Sequence, residues 1–462
     1  MYAATTQNTF SGKNTSTIFS YLGRANYSFD NRFLVTGSFR YDGSSKFAEG
    51  HKWGFFPSGA FAWKMGNEQF IKNLHVFNDL KLRLSYGKTG NQAIGSNNSQ
   101  PLLGSTQIGT IGDARVFPIG PTSPGNKDLR WEKTTQQNIG LDFGVWNNRI
   151  SVSIDYYKTV TTDLLLGFQI PSTSGFSSIV KNAGAIQNNG VELSLNSQNF
   201  IGKFEWSTNF NIAYNKNKWK DRAGLPFAPE EEFGPVRGIY GYIVDGIWQS
   251  SDNIANSSQP LSKPGQFRFR DVNGRDTKNQ FIATPDGKLN SDDRVLLGST
   301  FPKTTMGLTN NFAYKNFGLN FFIQGLFGFK IYNQAKASFE NPYNFLTLGG
   351  ISKEGTNFWT SNNTGSLVPS GQANSYGGVN SVYVEDGDFV RLRNINLSYR
   401  LPFKAAWFQS ANVYINLDNV LLVTKYSGLD PETANPVNTK SGSESDVYPN
   451  VKTYSLGFNI NF

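Results

Sequence analysis

Oxygen donors crowd two short stretches of the chain, PGQFRFRDVNG (264–274) and PDGKLNSDDR (285–294). There Asp271, Asn273, Asp286, Asn290 and Asp293 supply carboxylates and amides, and Lys288 supplies a main-chain carbonyl. Calcium takes six to eight oxygen ligands, so the set has metal-ligand character. The same residues read equally as a polar hairpin, because Asp-Gly and Asn-Gly pairs are ordinary turn chemistry. Little else could do chemistry. Cysteine is absent, and histidine occurs only at His51 and His75. That removes thiol nucleophiles, disulfide scaffolds and Cys-based zinc sites. No phosphate-cradling loop, H-E-x-x-H or G-x-S-x-G elbow is present, and two isolated histidines read as solvated rather than catalytic. The chain is therefore expected not to be an enzyme and to require no cofactor, with calcium as the possible addition.

The elements that would position such loops follow from composition and period. The 462 residues are 15% aromatic and only 17% charged, against roughly 25% charged in an average soluble domain. Mean hydropathy is −0.41. No run of about 18 apolar residues exists, which excludes helical membrane spans but not a β-barrel, whose strands are half polar. A soluble all-β protein and an outer-membrane barrel both stay open on composition. The opening MYAATTQNTFSGKNTST has no basic region followed by an apolar core, so the chain reads as mature, processed or truncated at its start. The net charge of +9 is spread singly over turns, with no basic helix. Nucleic acid is thus not an expected partner, and the cluster Glu230-Glu231-Glu232 reads as a solvated loop.

Period-two alternation dominates, the mark of strands with two different faces. Tyr454, Leu456, Phe458, Ile460 and Phe462 share one face, against Ser455, Gly457, Asn459 and Asn461. Leu80, Leu82, Leu84 and Tyr86 alternate with Lys81, Arg83 and Ser85. Ile150, Val152, Ile154 and Tyr156 alternate with Ser151, Ser153 and Asp155. Thirteen spanning strands are predicted, near 17–29, 32–42, 53–64, 79–89, 132–146, 149–161, 189–199, 203–216, 302–315, 317–330, 389–401, 411–424 and 451–462. Short turns (Asp30-Asn31, Asn147-Asn148, Lys315-Asn316) take turns with long segments (90–131, 217–301, 331–388, 425–450), as antiparallel strands between a periplasmic and an outer rim require. With those turns periplasmic, the first and last strands both run inward. An odd count of that kind cannot be a whole bacterial barrel, so the barrel is expected to begin before residue 1. Tyr21, Tyr27, Phe29, Phe39, Tyr41, Trp63, Trp146, Tyr156, Trp206, Tyr214, Phe312, Tyr314, Tyr399 and Phe462 fall toward strand ends, as interfacial girdles do. In a β-sandwich they would concentrate at strand centres.

The stretches NRFLVTGSFRYDGSSKFAEGHKWGFFPSGAFAWKMGNEQF (31–70), LKLRLSYGKTGNQAIG (80–95), NKDLRWEKTTQQNIGLDFGVWNNRISVSIDYYKT (126–159), VYVEDGDFVRLRNINLSYRLP (382–402) and NVYINLDNVLLVTKYSGLDPE (412–432) together resemble the barrel of SusC/RagA-type TonB-dependent transporters of Bacteroidetes outer membranes. The resemblance runs over essentially the whole chain. It implies an all-β transmembrane antiparallel barrel, in part: about 13 of an expected 22 strands, with residues 1–462 as the carboxyl-terminal portion. On that resemblance the plug domain is expected to lie outside these residues, and 217–301 and 331–388 are expected to be large extracellular loop regions within the barrel. It also implies an outer-membrane importer of oligosaccharides or peptides, a SusD-like surface lipoprotein as lid, contact with outer-membrane lipid, and energy from TonB-ExbB-ExbD through the missing amino-terminal part. Tyr454, Leu456, Phe458, Ile460 and Phe462 resemble the signal by which outer-membrane barrels are recognised for insertion.

On the family's calcium loop, Asp271 and Asn273 take the first and third positions, Asp286 the fifth, Gly287 the turn, Lys288 the carbonyl position, Asn290 the ninth and Asp293 the twelfth. An insertion, RDTKNQFIATP (275–285), separates the halves; the extra residues either loop out from between the third and fifth ligands or destroy the site. Substrate contacts are expected from aromatics of the long connections: Tyr240, Trp248, Phe339, Tyr343, Phe345, Phe358, Trp359 and Tyr376. Each could instead pack within its own loop. Lys81, Arg83, Asp155, Glu192 and Asn416 are expected to line the lumen. A soluble glycan-binding all-β protein and a non-energised porin or adhesin are the alternatives; the first requires the Leu80 and Tyr454 faces to be packed inside.

Overall fold

The computed structural model describes residues 13–105, 109–112, 114–116, 119–222, 235–276, 281–373, 375–402, 409–433 and 448–461. One antiparallel sheet contains β1 (Ile18–Phe29), β2 (Phe33–Ser44), β3 (Trp53–Trp63), β4 (Phe77–Asn91), β5 (Glu132–Val145), β6 (Ile150–Thr162), β7 (Ala185–Phe200), β8 (Phe204–Asp221), β9 (Thr304–Tyr314), β10 (Phe317–Phe327), β11 (Phe389–Arg400), β12 (Ser410–Thr424) and β13 (Thr453–Asn461). Sheet order equals chain order, and β1 and β13 are the two edges. These are the thirteen stretches that alternation predicts.

Turn chemistry fixes the hairpins at one rim. Asp30 and Asn31 (φ 50° and 49°), Asn147 and Asn148 (φ 55° and 60°) and Lys315 (φ 52°) take left-handed backbone. That is the twist a tight β-hairpin needs, and Asn and Asp tolerate it best. The connections 30–32, 64–76, 146–149, 201–203, 315–316 and 401–409 share this rim; 45–52, 92–131, 163–184, 222–303, 328–388 and 425–452 share the other. The 13-residue connection 64–76 departs furthest from the short-and-long rule. Residues 64–76 fold a 3-10 turn and a helical turn back over the outer face of β4, where a side chain on Gly66 would lie 3.0 Å from the Leu80 nitrogen. Leu80 is consequently 7% exposed, while Tyr86 on the same face is 44% exposed.

Register shows the shear of a tilted barrel wall. Trp63, Leu82, Leu141, Ile154, Leu193, Ile212, Met306, Gly325, Val390 and Val423 are successive cross-strand partners. This row starts at the last residue of β3 and ends one residue from the upper end of β12, so it climbs across the wall. Such stagger is what closure into a barrel demands. Pro57 interrupts no ladder: β3 pairs with β4 only from Ser58 onward, and proline is confined to positions whose N–H has no strand partner.

The apolar face is open. Tyr454, Leu456 and Phe458 are 68%, 76% and 73% exposed, which removes the soluble alternative that required these rows inside. Phe462 lies outside the described residues, as does Glu230-Glu231-Glu232. Aromatic stacks mark both rims: Trp206 on Phe312 at 5.5 Å and Phe317 by Tyr399 at 4.6 Å near the short turns, and Tyr41 on Trp53 at 4.8 Å near the long ones. Phe39, seventh of the twelve residues of β2, departs from the strand-end expectation, and so do Tyr156 and Tyr214. The two tyrosines sit well inside their strands, which continue past the apolar rows as Lys158 and as Lys216 and Lys218.

Candidate functional site

The inner face of the wall is polar and tightly paired. Arg83 on β4 makes two hydrogen bonds to Asp142 on β5 (2.8 and 2.7 Å) and reaches Asp155 on β6 at 2.8 Å. Lys81 adds a second contact to Asp142 at 2.9 Å, and the Ser153 hydroxyl binds both carboxylates. The span over β5 is possible because Gly140 stands between Arg83 and Asp155 in register. A Cβ there would lie 2.6 Å from the guanidinium carbon and 2.5 Å from the Asp155 carboxylate. Further round, Asn394 donates to Asn416 (2.7 Å) and Asp418 (2.8 Å), and Asn416 donates to Asp418 (2.8 Å). Lys81, Arg83, Asp155 and Asn416 thus share one polar face; Glu192 is exposed on it.

A buried ionic latch ties the 425–452 connection to this wall. Arg391 and Asp430, each 2% exposed, pair at 2.6 Å. Glu432 contacts Arg391 at 3.4 Å and pairs with Arg393, which also binds Gln324 and Asn419. Asn450 donates to both carboxylates at 3.1 and 3.0 Å. Burial alone would raise the Asp430 pKa. The N–H groups of Glu432 and Asn450, together with Arg391, outweigh it and hold the carboxyl below its ordinary range. A bulge at Arg393 builds the latch: pairing skips from Leu392 to Asn394 on β11, so Arg391 and Arg393 both join the inner face. Sequence reading missed Asp142, Arg391, Arg393, Asp430 and Glu432. The phase change from Val390 and Leu392 to Ile395 and Leu397 was the available signal for the bulge.

Above the wall, the 222–303 and 328–388 connections share one core of Ile247, Phe267, Phe269, Leu289, Tyr332, Trp359 and Tyr383. Main-chain bonds stitch them: Tyr242 N–H to Val379, Ser381 N–H to Tyr242 and Ser370 N–H to Gly265. Desolvation raises the Tyr332 and Tyr383 phenol pKa values, so both stay neutral. Of the predicted contact aromatics, Trp248 and Trp359 are buried. Tyr240, Phe358 and Tyr376 are half-buried, and Phe339, Tyr343 and Phe345 are exposed. Phe339 borders a cavity of about 650 Å³ with Lys336, Glu340, Glu354 and Leu429. Tyr376 borders one of about 150 Å³. The two groups of aromatics therefore occupy different surroundings.

The two halves of the oxygen-rich loop do meet. Residues 274–275 pair with 281–282, which draws the two ends of the insertion together. Asp293 Oδ1 accepts the N–H groups of Val272 (2.9 Å) and Asn273 (3.2 Å), and its Oδ2 accepts Asn290 N–H (2.9 Å). The Asn273 amide donates to Asp292 O at 2.9 Å, Asp271 accepts Gly287 N–H at 2.8 Å, and Asp286 accepts Lys288 N–H at 3.0 Å. Burial, then the charge of Asp293, raises the Asp271 pKa. Among the described residues, no three carboxylate or imidazole groups converge as a metal cage. The oxygens aim instead at main-chain N–H groups, a clasp closed by hydrogen bonds.

Comparison with known proteins gives a consistent picture. The family described as TonB dependent receptor-like, beta-barrel matches residues 1–420. TonB-dependent receptor P3 of Formosa agariphila is 34% identical over 481 residues, covering 97% of this chain and 46% of that protein. TonB-dependent receptor SusC of Bacteroides thetaiotaomicron is 31% identical over 471 residues, covering 97% and 44%. The solved RagAB peptide transporter superposes with a TM-score of 0.80 at 29% identity, covering 97% of this chain and 48% of that one. The chain spans about half the length of the relatives it matches.

Proposed function

The chain belongs to the TonB-dependent receptor β-barrel family and is an outer-membrane protein crossing with strands; on that premise we propose that it supplies the wall, the outer cap and part of the cargo cavity of an energised nutrient importer. The cargo would be an oligosaccharide or a peptide, with a SusD-like lipoprotein closing over the cap and TonB-linked energy acting through a plug. One observation carries the reading. The long connections stand at a single rim and two of them share a core, so a cap stands over a wall whose inner face is ionic and amide-rich. A wall of that polarity keeps water and polar cargo in contact with it, and exposed rings beside charged groups suit sugars and peptides. The role is binding and passage rather than catalysis.

The test uses the full-length protein in its native outer membrane. Replacing Phe339, Tyr343 and Phe345 together by Ala should lower uptake of the cognate cargo with outer-membrane abundance unchanged. Unchanged uptake would remove these rings from the cargo path. Calcium is proposed for the oxygen-rich clasp, because a divalent cation would relieve the repulsion between Asp271 and Asp293. It would have to compete with the N–H groups those carboxylates already accept.

A further inference from the structure

Five lysines stand together on the outer face of β4 to β8, just above the apolar rows. Lys158 and Lys216 lie in one register row, Tyr86–Gln137–Lys158–Asn189–Lys216. Lys88 and Lys218 lie in the next row up, Lys88–Thr135–Val160–Gln187–Lys218, and Lys133 lies one row higher on β5. Alternation places all five on the side of Leu82, Ile139, Ile154, Val191 and Ile212, the side that meets hydrocarbon, not on the inner side of Arg83 and Asp155. Each is exposed.

Among the described residues none of the five makes an ion pair, whereas Lys81 on the inner face does. Gln137, Asn189, Thr135 and Gln187 fill the spaces between them, and no carboxylate shares these two rows. Lys158 and Lys216 are two strand spacings apart across Asn189, and Lys218 is two residues beyond Lys216, so three positive charges stand within about 12 Å of one another and a bound anion would offset their repulsion. From strand spacing and rise it covers roughly 19 by 14 Å. It begins directly above Tyr86, Tyr156 and Tyr214, which are 44%, 48% and 47% exposed and lie where interfacial tyrosines mark the end of the hydrocarbon. The lysines therefore stand at headgroup height on the rim of the long connections.

We propose that this patch docks the phosphorylated headgroup of an outer-leaflet lipid, its phosphates held between Lys158, Lys216 and Lys218 and its acyl chains running down over Tyr156 and Ile154. Continuity with the lipid-facing rows selects a lipid over a soluble anion, and the amides between the lysines can hydrogen-bond a sugar headgroup. The inference rests on the outer-membrane placement of the chain.

The experiment places the full-length protein in phosphatidylcholine nanodiscs doped with lipid A bearing its phosphates, or with enzymatically dephosphorylated lipid A. Retained lipid is then counted by native mass spectrometry. Attraction of one lysine to an anionic headgroup corresponds to about a fivefold preference. The phosphorylated form should be enriched at least tenfold over the dephosphorylated one. K158Q/K216Q/K218Q should lose most of that enrichment, and the wild type should lose it in high salt. Equal retention of the two lipids by the wild type would overturn the proposal even if the triple variant failed to insert. So would full retention by an inserted triple variant. A protein that never enters the bilayer would instead contradict the outer-membrane placement, which keeps the two failures apart.

Discussion

An arginine at Leu193 and an arginine at Ser194 put the same charge one residue apart on opposite faces of β7. Leu193 is partnered by Ile154 and Ile212, Ser194 by Ser153 and Asn211. Leu193 is seven residues from the lower end of its strand. That is about 23 Å along the chain, and about 18 Å above the rim at a tilt near 40°. In a hydrocarbon layer of about 25–30 Å this is close to the middle, where arginine on a lipid-facing barrel position costs ~2–4 kcal/mol. Ser194→Arg meets water in the lumen and should cost under about 1 kcal/mol. The expected gap of ~2 kcal/mol is roughly a thirtyfold difference in the folding equilibrium. Denaturant titration of the full-length protein refolded into vesicles measures it. A Ser194→Arg variant as destabilised as Leu193→Arg would refute the assignment of faces, and with it the polar lumen.

Gly140→Ala should destabilise by ~1–3 kcal/mol, because its methyl displaces the Arg83–Asp155 contact; an Asp155→Asn background should absorb part of that loss in a double-mutant cycle. Asp430→Asn should cost ~3–5 kcal/mol by leaving Arg391 buried with a weakened partner. The Asp430 pKa is lowered on folding, so its contribution is full above the unfolded value of about 3.9 and falls away as pH drops through the folded value. Wild-type stability should therefore decline below about pH 4, and Asp430→Asn should flatten that slope; an unchanged slope would place the acid sensitivity elsewhere. Millimolar calcium against EGTA should raise the melting temperature by several degrees if the clasp takes the ion, and Asp293→Asn should abolish the shift; no shift in the wild type would leave the clasp to hydrogen bonds alone.

The thirteen strands were legible because hydrocarbon on one side and water on the other impose a chemical difference on every second residue. The tight turns were legible because Asn and Asp tolerate left-handed backbone. Legibility failed where three-dimensional register decides. Asp142 is ordinary by alternation, and only the alignment of β4, β5 and β6 makes it the centre of a four-residue ionic group. Gly140 reads as a weak strand residue until the guanidinium beside it is seen. The cap was hardest: Trp248 and Trp359 look like binding aromatics in a Gly- and Ser-rich loop. Their burial follows from the meeting of connections more than 100 residues apart, as in the bond from Trp359 Nε1 to Gln249. The oxygen-rich loop was half legible, since its two parts and an insertion able to loop out between them were visible, but the pairing of 274–275 with 281–282 was not.

The sheet's two edges constrain what any functional test can use. Among the described residues, β1 and β13 each have a neighbour on one side only. In an antiparallel strand every second residue points its N–H and C=O to a given side, so about six of the twelve residues of β1 present main-chain groups to an empty edge. Each such group costs several kcal/mol in hydrocarbon. The sum over β1 alone, tens of kcal/mol, exceeds the ~5–15 kcal/mol by which folded proteins are usually stable. Both edges therefore need main-chain partners before the wall can stand in a bilayer. The inner ionic face points the same way: Arg83, Asp142 and Asp155 belong beside water, and the sheet separates water from lipid only when it is closed. Uptake, calcium and lipid measurements on the isolated wall would report on exposed edges rather than on the cavity.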